Sequence, residues 1–294
     1  MTVQAAGLAA DMKHLDGFRE VADGYDGFIL DLWGVIHDGV APIPGAPACL
    51  ATLRSAGKRI VLLSNAPRRA DSIMRQLTRM DIPERLYDGV MTSGEATHLM
   101  LRERKDPWYA ALGRRVFHLG PERDRGLLAG LDLEVLEGPD GADFMLNTGP
   151  DDHAPQTDPS HYDPVLERSA ALGLPMICAN PDLEVIRGGV RVVCAGTLAV
   201  RYVDMGGDVR SLGKPDPAIY RPVLDMLDLP HDRVLAVGDA LRTDIAGAAA
   251  MGLDACWVLG GLHGAHLGGD TARTRAEAAA AGLAPAACIQ HFVW

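Results

Sequence analysis

With 294 residues and 48% hydrophobic side chains, the chain has apolar material for one large or two medium packed domains. A formal net charge of −11, with no compensating basic block, disfavours unassisted binding to nucleic acid or anionic membranes. The five cysteines (Cys49, Cys178, Cys194, Cys256, Cys288) form no CxxC pair and no zinc-spaced cluster, so free thiols in a reducing cytoplasm are expected.

Short apolar runs alternate with longer amphipathic ones, the pattern of βα units on a parallel sheet, so the fold class is α/β. Residues 28–36 read as a buried strand, and Pro44 and Gly45 open a helix that Gly57 closes, with Leu50 and Leu53 inward. Residues 59–65 form a second strand. Residues 68–80 form a helix whose Ile73, Leu77 and Met80 follow the 3.6 period. Residues 88–93 make a third short strand. After Gly94 the texture changes: strands are expected at 116–119, 133–136 and 144–147, then a polar loop at 149–163, a helix near 164–172 and a strand at 175–180. Gly188-Gly189 marks a hairpin turn. The βα rhythm returns from Ser211. Asp216 caps a helix with Pro217 in its first turn, strands follow at 234–238 and 255–259, and helices at 242–251 and 271–283. We therefore expect a core domain made of residues 1–94 and 208–294, and a separate inserted α/β domain over 95–207. No segment reaches ~18 uninterrupted apolar residues, so no membrane span is expected.

In open parallel sheets, ligands bind beyond the carboxyl ends of the strands. Four polar signals fall at such positions: Asp31, Ser64-Asn65, Lys214 and Asp239. A carboxylate at Asp31 can attack phosphorus and form an aspartyl-phosphate that water later cleaves. Two carboxylates and a carbonyl are enough to hold Mg²⁺, which wants hard oxygen ligands. Ser64 can hydrogen-bond a phosphoryl oxygen and Lys214 can neutralise its charge. Taken singly, each has an ordinary reading: Asp31 as a turn residue, Ser64-Asn65 as a turn, Lys214 as a solvated lysine, Asp239 and Asp244 as helix caps. Their joint occurrence at successive strand ends favours one site.

These residues also carry a family resemblance. Asp31-Leu32-Trp33-Gly34-Val35, Leu63-Ser64-Asn65, Gly213-Lys214-Pro215 and Gly238-Asp239-x-x-x-Thr243-Asp244 resemble, in order, the four motifs of the haloacid dehalogenase (HAD) superfamily. Length, the insertion after the third strand and Asn180-Pro181-Asp182 point to its class IIA subgroup, with a large α/β cap and p-nitrophenylphosphatase-like and nucleotide-phosphatase-like members. The resemblance spans about residues 25–260. It implies a Rossmann-like core with an inserted cap, and a Mg²⁺-dependent phosphatase acting on a small phosphorylated metabolite. Asp31 would be nucleophile and metal ligand, Asp239 a second ligand, the Trp33 carbonyl a third, and Asp244 would stand close by. Ser64 and Lys214 would hold phosphoryl oxygens. The backbone around Trp33, Gly34 and Asn65 would donate N–H groups, and Asn180 and Asp182 would face the substrate from the cap. The resemblance leaves a cap-mediated homodimer open.

The chain departs from that pattern at one position. Most phosphatases of this superfamily carry a second Asp two residues after the nucleophile, where this sequence has Trp33. An indole donates one N–H but exchanges no proton near neutral pH. Three readings follow: His37 or Asp38 replaces the acid, although both also read as surface flap residues; the substrate has a good leaving group; or the protein is a phospho-ligand-binding regulatory protein with little turnover. A dehalogenase or phosphonate hydrolase is a further rival, which the cap and Asn180-Pro181-Asp182 disfavour. No G-x-G-x-x-G follows a strand, which argues against a dinucleotide enzyme. His153, His161, Trp108 and Tyr109 read as surface or core residues before pocket residues.

Overall fold

The structure, a computed structural model, describes residues 12–187, 189–261, 267 and 269–294. Seven parallel strands form the larger sheet: β1 (Lys13–Leu15), β2 (Gly27–Leu30), β3 (Arg59–Ser64), β4 (Gly89–Thr92), β12 (Val234–Gly238), β13 (Asp254–Val258) and β14 (Ala287–Ile289), in the order β1-β14-β13-β12-β2-β3-β4. A second parallel sheet takes its strands from the middle of the chain: β5 (Arg115–Leu119), β6 (Glu134–Leu136), β7 (Phe144–Asn147), β8 (Met176–Cys178) and β11 (Val209–Ser211), ordered β11-β8-β7-β5-β6. The antiparallel hairpin of β9 (Glu184–Arg187) and β10 (Val190–Val193) stands apart from both.

Why the apolar runs become buried strands is visible in how their side chains divide. Along β2, Phe28 and Leu30 join one core with Leu62 of β3 and Leu235 and Val237 of β12, while Ile29 joins another with Val61, Leu63, Val234 and Ala236. Alternate residues thus feed opposite faces. Helices cover both faces, so no position on the strand is left polar. Helices Ala46–Ser55 and Ala70–Arg79 pack on the first face and Pro217–Leu227 on the second. The same division recurs in the smaller sheet. Val116, Phe144 and Ile177 share one core; Phe117, Met145 and Met176 share the other.

Several boundaries differ from the sequence reading. The apolar run at 28–36 is strand only to Leu30. Beyond it the Ile36 N–H donates to the Leu32 carbonyl and the chain leaves the sheet through Gly34, whose φ of 72° is left-handed. The helix expected at 242–251 opens with a wide π turn over Leu241–Ile245 before Ala246–Ala250. Helices Ser93–Glu103 and Ala195–Asp204 were not expected, nor were strands β1 and β14 at one side of the larger sheet. Three-residue strands carry too little periodicity to stand out from loops. The hairpin is present, although Gly188 of the expected turn lies outside the described residues.

Candidate active site

Three strand tips build the centre. β2 pairs β12 with Leu30 opposite Val237, and β3 with Leu30 opposite Leu62. Asp31 and Asp239 therefore emerge from neighbouring strands, which lie ~5 Å apart in any sheet. Chain order reverses on either side of β2, the place where open α/β sheets leave a crevice.

The carboxylate oxygens of Asp31, Asp239 and Asp244 lie within 4.8 Å of one another, and all three residues are buried. Lys214 Nζ sits 2.6 Å from Asp31 Oδ1 and 2.6 Å from Asp244 Oδ1. Such close approach needs missing side chains. A Cβ on Gly34 would lie 2.1 Å from Asp239 Oδ2, and one on Gly238 would lie 2.1 Å from Asp244 Cγ. The second Asp244 oxygen accepts from the Ala240 N–H at 3.1 Å, and Trp257 Nε1 donates to the Asp239 carbonyl at 3.0 Å.

Charge sets the character of the centre. Burial, reinforced by Asp244 and Asp239, pushes the Asp31 carboxyl well above its ordinary range despite Lys214. Burial alone would lower Lys214, but Asp244 and Asp31 outweigh it and hold the ammonium firmly charged. Three buried carboxylates around one ammonium leave an excess of negative charge. A hard divalent cation would offset it, and the donor set is all oxygen.

Asn65 ties the centre to the middle segment of the chain. Its Oδ1 accepts from the Lys214 N–H at 2.7 Å, and its Nδ2 donates to Asp182 Oδ1 at 2.9 Å and to the Lys214 carbonyl at 3.2 Å. Arg242 Nη2 adds a bond to the Pro181 carbonyl at 2.6 Å. Ser64 is buried at the end of β3; its Oγ accepts from the Ala66 N–H and keeps its O–H as a donor. Asn180 and Asp182 both line the cleft beside Trp33. Loss of solvent raises the Asp182 carboxyl, against the pull of Lys214.

Two expectations need correcting. The Gly34 N–H donates to the His37 carbonyl at 3.0 Å, so it closes the turn and is not available to a ligand. His37 is no surface residue: it is 1% exposed, and burial with nearby Arg68 pulls its imidazole down to about 4. Its Nδ1 accepts from the Gly39 N–H at 3.0 Å. Asp38 accepts from the N–H groups of Ala41 and Val40, which hold its carboxyl below the ordinary range. A neutral buried imidazole and an ionised turn carboxylate are both poor proton donors near neutral pH.

Trp33 has packing partners instead. Its indole lies edge-on to His37, covers Gly39 and carries the Arg187 guanidinium 5.9 Å above its ring centre. Sequence reasoning missed Arg68, Arg123, Asp124 and Arg187, which line the same cleft. Only Arg68 had a signal, since it follows Ser64-Asn65 closely. Trp108 and Tyr109 belong with the smaller sheet, and His153 and His161 are exposed, as the plain readings had them.

The sequence matches the family described as haloacid dehalogenase-like hydrolase over residues 28–134, and the one described as HAD-hydrolase-like over 211–287. The crystal structure of a haloacid dehalogenase-like hydrolase from Brucella suis 1330 is 34% identical with a TM-score of 0.82, covering 95% of this chain and 100% of that one. D-glycerol 3-phosphate phosphatase from Mycobacterium tuberculosis is 29% identical over 255 residues, which make up 84% of this chain and 66% of that enzyme. A glycerol phosphate phosphatase of the same organism, solved in complex with magnesium, is 26% identical with a TM-score of 0.62, covering 82% of this chain and 70% of that one.

Proposed function

This chain belongs to the haloacid dehalogenase-like hydrolases, in their class IIA branch of phosphoric monoester hydrolases, and on that premise we propose a Mg²⁺-dependent phosphatase of small phosphorylated metabolites. The convergence of Asp31, Asp239 and Asp244 on Lys214 supports this reading most directly. Residues 95–207 serve as the cap and the remainder as the catalytic core.

Asp31 attacks phosphorus through the oxygen not engaged by Lys214, and the ester oxygen departs. Water then cleaves the aspartyl-phosphate. Lys214 and the Ser64 hydroxyl hold the phosphoryl oxygens, and Asp244 anchors the lysine. Asp31, Asp239, Asp244 and the Trp33 carbonyl would hold Mg²⁺, which supplies charge stabilisation for the phosphoryl oxygens. Trp33 leaves the departing oxygen without a proton from that position, so substrates with good leaving groups turn over best.

The test is phosphate release from p-nitrophenyl phosphate, with and without Mg²⁺, by wild type and Asp31→Asn. Activity that needs Mg²⁺ and is lost in the variant is expected. Equal rates for the two proteins would remove the enzyme reading for this substrate. Trp33 favours one rival, a phospho-ligand-binding regulator, and acid-quench trapping separates the two because a pure binder forms no phospho-aspartate.

A further inference from the structure

Beside the acidic centre runs a second, narrower cleft that shares Trp33 and Asp182 with it. Arg68 enters from the loop after β3, Arg123 and Asp124 from the turn after β5, and Arg187 from the end of β9. Three guanidiniums from distant parts of the chain thus line one space of about 80 Å³. They are unequally compensated. Arg123 pairs with Asp152, and its Nε lies 3.9 Å from Asp124 Oδ1. Arg68 and Arg187 are half-buried and form no ion pair with any described residue. Burial pulls Arg68 below its usual range, and the charges of Arg123 and Arg187 add to this against the opposing pull of Asp124. Asp124 itself is 3% exposed, and its Oδ1 has no hydrogen-bond partner among the described residues.

Asp124 and Asp182 share this lining, but neither forms an ion pair with Arg68 or Arg187, whose donors stay open to an added anion. We propose that the substrate is a phosphorylated carboxylic acid, its phosphoryl group at Asp31 and its carboxylate held by Arg68 and Arg187 in this cleft. The planar fork of arginine matches a carboxylate with two parallel hydrogen bonds. The space of about 80 Å³ has room for a carboxylate and not for a sugar or base, so any bulkier part of a ligand would lie in the adjoining cleft at Asp31, of about 800 Å³. Trp33 then acts as a support, because its ring fixes the Arg187 guanidinium at the boundary between the two clefts. The proposal rests on the phosphatase reading.

Binding separates the two. Calorimetry on Asp31→Asn with Mg²⁺ would compare 2-phosphoglycolate with 2-hydroxyethyl phosphate, and 3-phosphoglycerate with glycerol 3-phosphate. In at least one pair the acid is expected to bind about tenfold to a hundredfold tighter, the worth of a charge-assisted contact. Arg68→Met and Arg187→Met should each shrink that ratio toward one. The ratio of kcat/KM for wild type on the same pairs reads the preference independently of Asp31→Asn. Equal affinities in both pairs, or a preference that survives both arginine variants, would overturn the carboxylate assignment. Failure on p-nitrophenyl phosphate with the carboxylate preference intact would instead point to the binding rival.

Discussion

Asp31 shows how much a single residue owes to its neighbours. A carboxylate after an apolar strand is ordinary, whereas this one is buried against Lys214, Asp239 and Asp244. Trp33 shows the reverse, a conspicuous residue whose contacts are with packing partners. If its indole is what denies the leaving oxygen a proton, Trp33→Asp should raise kcat on alkyl phosphates by about tenfold or more, within the ~10²–10⁴ that such catalysis contributes. Unchanged kcat in a folded variant would count against that account. Asp124 makes a separate prediction. Burial, against the pull of Arg123 and Arg68, raises its carboxyl to about 6 from 3.8. The folded state therefore binds this proton more tightly than the unfolded chain does. Stability from this group is present below pH ~4 and is lost as pH rises to about 6, amounting to about 3 kcal/mol at most. Asp124→Asn should accordingly gain stability relative to wild type between pH 4.5 and 7.5, read from paired denaturation midpoints. A pH-independent difference would show that Asp124 ionises freely.

Between residues and the whole fold, the join after β4 carries the most consequence. Helix Ser93–Glu103 begins where the larger sheet hands the chain to the smaller one. Thr92 caps it by accepting from the Glu95 N–H at 2.8 Å, while its hydroxyl donates to the Arg68 carbonyl at 2.6 Å. Glu95 in turn accepts from Arg69 Nε and from the Ala70 N–H. One capped helix start thus fixes the loop that presents Arg68. Thr92→Ala should destabilise by ~1–2 kcal/mol, the usual cost of a lost cap. Denaturant midpoints would measure it, and a shift under a few tenths of a kcal/mol would mean that the cap is redundant. This helix was invisible in the sequence because its first turn follows directly on a buried strand. Its period starts before the strand pattern has ended.

At the scale of the molecule, contacts from Asn65 to Asp182 and from Arg242 to Pro181 join the two sheets across the site. All five cysteines are free and buried. Among the described residues no helix is long and apolar enough to cross a membrane. The crowded carboxylates also predict a global response. Mg²⁺ at a hundred times its Kd should stabilise the folded protein by ~2.7 kcal/mol, raising Tm by about 5–10 °C. Asp239→Asn should lose most of that rise. If the two proteins respond alike, the cation binds elsewhere.

Five of the seven strands of the larger sheet, the order of its motifs and the acids at its strand tips were legible in the sequence, because short continuous apolar runs and strand-end chemistry are local properties. The guanidinium cleft was not. Arg68, Arg123 and Arg187 lie far apart along the chain and follow no shared period, so nothing local marks them as neighbours. The Gly34 N–H and His37 were misjudged for a related reason: whether a turn donates inward or toward a ligand depends on the backbone path after the strand ends. Tertiary packing decided those contacts, since only it brings distant segments within the few ångströms over which a hydrogen bond or a charge acts.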